Sequence, residues 1–166
     1  MALYKQYCEG MIIVAQRYLK DHAEAEDAMQ EAFIKAFEKL YQFKGDVTFG
    51  AWLKRIVINT CLDTIKGNKL ETESIEEERT AALEVVHEDD NWEVDDRTTA
   101  TEIVSAIDQL PTNYKSVVKL FLLEGYDHFE ISGILSISEN VSRTNLHRGK
   151  KILKETLKHL QYGTGY

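Results

Sequence analysis

Residues 67–101 divide this chain. They carry twelve Asp and Glu against three Lys and Arg, while residues 1–66 hold nine of each sign and residues 102–166 hold eight basic and seven acidic side chains. The whole net charge of −8 therefore originates in one stretch, "GNKLETESIEEERTAALEVVHEDDNWEVDDRTT". Like charges in runs, with few aromatics and no apolar period, leave too little surface to bury against the entropy of ordering. The composition predicts a flexible acidic linker between two small modules. Neither flanking module is globally basic, so any nucleic-acid footprint must be local.

The first module reads as a helical bundle, and the single proline of the chain, Pro111, lies outside it. "LYKQYCEGMIIVAQRYL" sets Leu3, Tyr7, Met11, Val14, Ala15 and Tyr18 at three- and four-residue steps, the period of an amphipathic helix. Asp21 opens a second helix whose apolar stripe is Ala25, Met29, Ala32, Phe33, Ala36, Phe37 and Leu40. Its other side shows Glu24, Asp27, Gln30, Glu31 and Glu38. "FKGDVT" breaks the pattern at Gly45, and Thr48 caps a third helix with Phe49, Leu53, Ile56 and Leu62 facing inward. There Lys54, Arg55, Lys66 and Lys69 outweigh Asp63. One helix presents acid and the next presents base.

The second module begins with the short helix "TEIVSAIDQL", and Pro111 stands at the first position of the next helix, where proline is favoured. Gly125 ends that helix, "HFEISGIL" forms another, and "SIS" turns the chain into a short basic helix, "ISENVSRTNLHRGKK". Two short helices about a tight turn, the second basic, make a helix-turn-helix. Ser142, Leu146, Gly149 and Leu153 fall on its inward face, with small residues for a close crossing. Asn140, Arg143, Thr144, His147 and Lys151 fall opposite, where Arg and Asn side chains suit base edges in a major groove. Ser138 at the cap leaves amide groups for a phosphate. A solvated basic face is the bland alternative.

Enzyme chemistry finds no support. No glycine-rich phosphate loop occurs, and His22, His87, His128, His147 and His159 show no metal or triad spacing. Cys8 and Cys61 lie far apart in apolar contexts without ligand spacing, and read as buried thiols of a reducing compartment. No apolar run approaches the length of a membrane span and no signal-peptide pattern opens the chain, so a cytoplasmic protein without membrane insertion is expected. Two non-enzymatic readings stay open: a stand-alone helix-turn-helix repressor that binds DNA as a dimer, and an adaptor that binds a regulator or polymerase and never contacts DNA.

"RYLKDHAEAEDAMQEAFIKAFEKLYQFKGDVTFGAWLKRIVINTCLD" resembles region 2 of bacterial sigma factors of the extracytoplasmic-function (ECF) group. "DQLPTNYKSVVKLFLLEGYDHFEISGILSISENVSRTNLHRGKKILKETL" resembles their region 4. The resemblance implies an all-α fold of two helical domains: 1–68 as region 2, 69–101 as the linker and 102–162 as region 4. It implies a polymerase subunit with no catalysis and no cofactor of its own. Its partners would be core RNA polymerase and promoter DNA, with an anti-sigma factor left open as a third. Asp27, Gln30 and Glu31, with Ile34 beside them, match the polymerase-docking side of the second helix. Phe43, Lys44, Gly45, Asp46 and Val47, then Arg55 and Asn59, match the parts that open the −10 element, where unstacked bases need a pocket and cations. Trp52 could stack on a base, but its spacing with Phe49 and Ile56 reads as core. Ser138, Asn140, Val141, Arg143, Thr144, His147, Arg148 and Lys151 match the −35 reader, and the acidic linker would thread the polymerase cleft.

Departures from the family pattern also stand out. Ser136 occupies the turn position where glycine is usual, which costs ~1 kcal/mol if the residue is left-handed. Phe129 and Gly133 replace glutamates, and Asn140-Val141-Ser142 replaces Gly-Thr-Val, so the −35 preference does not carry over.

Overall fold

The computed structural model describes residues 2–72 and 98–163, with side chains placed for 2–69 and 98–160. The chain separates into two compact units, residues 1–78 and 79–166, and among the described residues every regular element is helical. The expected linker falls almost wholly on 73–97, outside the described residues. At its edges the helices reach further in than expected, to Thr72 on one side and from Ala100 on the other.

Unit one packs three helices, α1 (Ala2–Tyr18), α2 (His22–Glu38) and α3 (Phe49–Thr72), each against both others. Asp21 caps α2 by accepting a 3.0 Å hydrogen bond from the Glu24 amide, satisfying a donor the helix leaves open. Thr48 does the same for α3 through the Ala51 amide at 3.2 Å. The buried stripe of α2 is Ala25, Ala28, Met29, Ala32, Phe33 and Ala36. Its alanines allow close approach, while Met11, Val14, Ala15 and Tyr18 fill the space from α1. From α3 come Leu53, Val57, Ile58, Cys61 and Leu62. Aromatic rings close the bundle, with Tyr4 edge-on to Phe33 at 4.8 Å and Tyr7 5.4 Å from Phe49.

Several expected core positions are open. Phe37 is 44% exposed and Leu40 42%, because Phe37 falls at the edge of the α2 arc and Leu40 lies past its end, in a 3₁₀ turn at Leu40–Gln42. Leu3 is also open, in the first turn of α1, while Phe49 and Ile56 are half-buried. Cys61 is fully buried but Cys8 is only half-buried, so the expectation of two buried thiols holds for one.

Unit two is built around α7 (Glu139–Gly163), which packs against α4 (Ala100–Asp108), α5 (Thr112–Val118) and α6 (His128–Leu135). The expected short basic helix is the first half of this 25-residue element. Reciprocal capping boxes start two of the helices: Thr99 with Glu102 on α4, and Asp127 with Glu130 on α6. Two hydrogen bonds from Thr99 hold the Glu102 carboxyl below its usual range. Pro111 sits one position earlier than expected, as the cap of α5 with extended backbone at ψ 144°, and Thr112 is the first helical residue. This suits proline as well, since no amide donor is required there.

α5 continues into one π-helical turn, Lys119–Leu123, which widens the backbone where the buried Lys119 amine meets the Asp108 carboxylate at 2.8 Å. Gly125, at φ +76°, reverses the chain after that turn. The core gathers Ala106, Ile107, Leu110, Val117, Val118, Leu120, Ile131, Leu146, Leu153 and Leu157. Gly149 marks the closest crossing, since a Cβ there would lie 2.6 Å from Val118 Cγ2 and 3.2 Å from Tyr114 Cβ.

Candidate functional surfaces

On α2, Asp27, Gln30, Glu31 and Ile34 follow helical spacing onto one face, and all are exposed. Ile34 is 60% exposed. The acid is partly compensated, since Lys35 Nζ lies 2.6 Å from Glu31 Oε1, so the patch is less uniformly acidic than the sequence suggests. Gln30 Nε2 donates to Glu26 Oε1 at 3.5 Å. Past Ile34, Phe37 is open near the end of α2, and Tyr41 is 83% exposed in the 3₁₀ turn that follows it.

The loop after α2 divides its expected residues. Lys44, Gly45, Asp46 and Val47 are exposed, and Gly45 holds φ +78°. Phe43 instead turns back, half-buried, with its ring 5.7 Å from Phe49 and 5.4 Å from Trp52. Trp52 is itself 5.7 Å from Phe49 but only half-buried, so it packs in the aromatic cluster without being enclosed in the core. Arg55 is exposed and Asn59, one turn on, is half-buried. Loop and helix thus supply cations and amides beside a rigid aromatic base.

The helix-turn-helix is α6, Ser136–Ser138 and α7. Ser136 takes the left-handed conformation, φ 55° and ψ 44°, and lets the Ile137 amide reach back to the Ser132 carbonyl at 3.2 Å. Ser138 Oγ accepts from the Val141 amide at 3.2 Å and caps α7. Asn140, Arg143, His147 and Lys151 are exposed, while Val141, Thr144 and Arg148 are half-buried at the flanks. The inward face is shut by Ser142, Leu146, Gly149 and Leu153, all buried. From Asn140 to Lys151 the helix rises about 16 Å, more than the roughly 12 Å width of a major groove.

Further contacts position this helix and were not foreseen. His128 Nδ1 lies 2.8 Å from Ser142 Oγ across the α6–α7 corner. The His128 ring stacks on Phe121 at 5.1 Å, and Lys150 Nζ stands 5.4 Å from the centre of the Phe121 ring. Arg143 Nη2 donates to Glu139 Oε2 at 3.3 Å. Phe129 is 73% exposed on α6. Among the described residues no group of His, Cys, Asp and Glu could hold a metal, and no helix is long and apolar enough to cross a membrane.

Residues 3–71 match the family model for sigma-70 region 2, and residues 100–153 match that for sigma-70 region 4. The ECF RNA polymerase sigma factor SigW of Bacillus subtilis is 31% identical over 163 residues, covering 93% of this chain and 86% of SigW. SigE, an ECF sigma factor of Mycolicibacterium smegmatis, is 30% identical over 158 residues; the match covers 93% of this chain but 60% of SigE. In fold the chain is similar to the sigma factor RpoE of Bartonella quintana, solved with the anti-sigma factor NepR. That similarity has a TM-score of 0.62 at 18% identity over 95% of both chains. Two region models in the expected order, and SigW matched over most of its length, place the chain in a family: it belongs to the ECF group of sigma-70 family RNA polymerase sigma factors.

Proposed function

We propose a division of labour for this sigma factor in which each surface described above has one task. The outer face of α2, carrying Asp27, Gln30, Glu31 and Ile34, docks on core RNA polymerase. The loop Phe43–Val47 with Arg55 and Asn59 engages the −10 element, and the exposed face of α7 reads the −35 element. Residues 1–68 and 102–162 are the two promoter-binding modules, and the acidic segment 69–101 spans the polymerase between them. The protein works in the cytoplasm, where polymerase and chromosomal DNA meet. An anti-sigma factor is a further partner on this reading, supported by the similar fold of the sigma factor RpoE solved with the anti-sigma factor NepR.

The observation that carries the reading is the two-sidedness of α7. One side is locked by buried residues, and the other leaves Asn140, Arg143, His147 and Lys151 open together. A near-neutral module, with eight basic and seven acidic side chains in 102–166, binds DNA weakly by itself. Tethering by polymerase raises its effective concentration at the promoter and makes that weak affinity sufficient. The test is co-purification with core polymerase followed by run-off transcription from a mapped promoter. A stand-alone repressor would retard promoter DNA without polymerase, and an adaptor would leave promoter DNA unshifted even with it. Either result would overturn the reading.

A further inference from the structure

We infer that Glu139 is a specificity-determining residue of the −35 reader, acting on the base through Arg143. The inference rests on the reading above that Arg143 meets a base edge. Glu139 and Glu155 are the acidic residues of α7, and Glu139 is its first residue. It lies one turn before Arg143, with Oε2 3.3 Å from Arg143 Nη2, and both side chains are 43% exposed. The bond engages one Nη of Arg143 and leaves the other nitrogens of its fork outside this contact.

The chemistry assigns two effects to this pair. Arginine reads a guanine with two parallel N–H donors, so the plane of its guanidinium must be set before the base arrives. A carboxylate holding one Nη leaves the remaining donors directed outward and reduces the rotamers that Arg143 forfeits on binding. The same carboxylate sits on a face that will meet phosphates. Its charge is tolerated in the free protein because the first turn of a helix favours an anion. Near DNA it opposes sequence-independent binding and discourages Arg143 from turning aside to the backbone. Glu139 therefore lowers affinity for unrelated DNA and sharpens the choice at one base pair.

The experiment uses reconstituted holoenzyme transcribing promoters varied singly through the −35 element, with wild type, Glu139→Ala, Glu139→Asp, Arg143→Ala and the Glu139→Ala/Arg143→Ala double variant. Arg143→Ala identifies the base pair that Arg143 reads. Glu139→Ala is expected to reduce discrimination at that same pair, roughly two- to tenfold, and to raise transcription from mismatched promoters. Glu139→Asp keeps the charge at the helix start but shortens the reach, and is expected to reproduce the lost discrimination without the gain on mismatched promoters. The double variant should discriminate no worse than Arg143→Ala, because Glu139 acts through Arg143. Equal changes on every promoter for Glu139→Ala, with the lost preference of Arg143→Ala still confined to one pair, would overturn the inference and leave base reading by Arg143 standing. Sequence-blind loss for Arg143→Ala would overturn both.

Discussion

His128 and Ser142 are joined by a 2.8 Å hydrogen bond that ties the first residue of α6 to the first full turn of α7. Ser142 is completely buried, and the His128 ring is held flat against Phe121. A buried hydroxyl in this position has a partner, and the partner lies on the other arm of the DNA-binding corner. The angle between the two helices is thereby fixed at the point where α7 begins to present Asn140 and Arg143.

Ser142→Ala is expected to cost about 1–3 kcal/mol of stability in unit two, because it leaves a half-buried imidazole nitrogen without its partner. Urea unfolding of the full chain, followed through NMR signals of Ile131, Leu146 and Leu153, measures this. An unchanged midpoint would show that the bond is incidental to the corner.

Ser136→Gly should move stability the other way. Ser136 is the sole non-glycine residue with positive φ among the described residues, at 55°. A left-handed L-residue costs about 1–2 kcal/mol, and glycine recovers part of that after its own entropy of ordering. The expected gain is about 0.5–1 kcal/mol in the same titration. A lower midpoint would mean that the serine stabilises the turn by more than its strain.

These corner residues show what could be read from the chain and what could not. The left-handed conformation of Ser136 was legible only as a condition, drawn from the glycine usual at this turn position in the family. Ser142, Leu146, Gly149 and Leu153 were legible as the buried face because helical period alone assigns them. The His128–Ser142 bond was not, since it joins residues fourteen apart whose approach depends on the α6–α7 angle. The packing of Phe43 was not legible for the same reason: its aromatic partners Phe49 and Trp52 meet it only after α3 has packed. The π turn at Lys119–Leu123 left no sequence signal beyond a lysine in an apolar run, explained by Asp108 from another helix.

Cys61 is expected to be chemically silent in the folded protein. Burial pushes its thiol up from 9.0 to about 12, with a backbone hydrogen bond opposing the shift weakly. A thiol whose folded pKa exceeds its unfolded value contributes stability that is complete below about pH 9 and is lost as pH climbs toward 12. Alkylation at pH 8 should therefore label half-buried Cys8 first and reach Cys61 only in urea. Equal labelling rates in the native protein would contradict the buried, protonated thiol.

Reversal of charge on α2 tests the polymerase-docking face. The Asp27→Lys/Glu31→Lys variant is expected to lose binding to core polymerase while keeping its helical content, because both side chains are exposed. Replacing the Glu31–Lys35 pair with two lysines loses one attraction and adds one repulsion, about 0.4–1 kcal/mol together, too little to unfold the unit. Pull-down with core polymerase, alongside circular dichroism, separates the two effects. Undiminished binding would remove this face from the docking surface.

Arginine and lysine on α7 should fail in different ways. Arg143 lies in the early turns of the helix, and Lys151 stands two turns further on, near where the helix leaves a groove roughly 12 Å wide. Early residues of a recognition helix reach base edges, and later ones meet the backbone. Arg143→Ala is therefore expected to cost roughly 1–3 kcal/mol and to relax preference at one position of the −35 element. Lys151→Ala should weaken all promoters about equally and flatten the salt dependence by about one unit of slope. Transcription by reconstituted holoenzyme on singly varied promoters, repeated at several salt concentrations, distinguishes the two. Equal and sequence-blind losses would end the division of labour along α7. Unaffected transcription in both variants would remove α7 from the promoter altogether, whatever its exposed charge suggests.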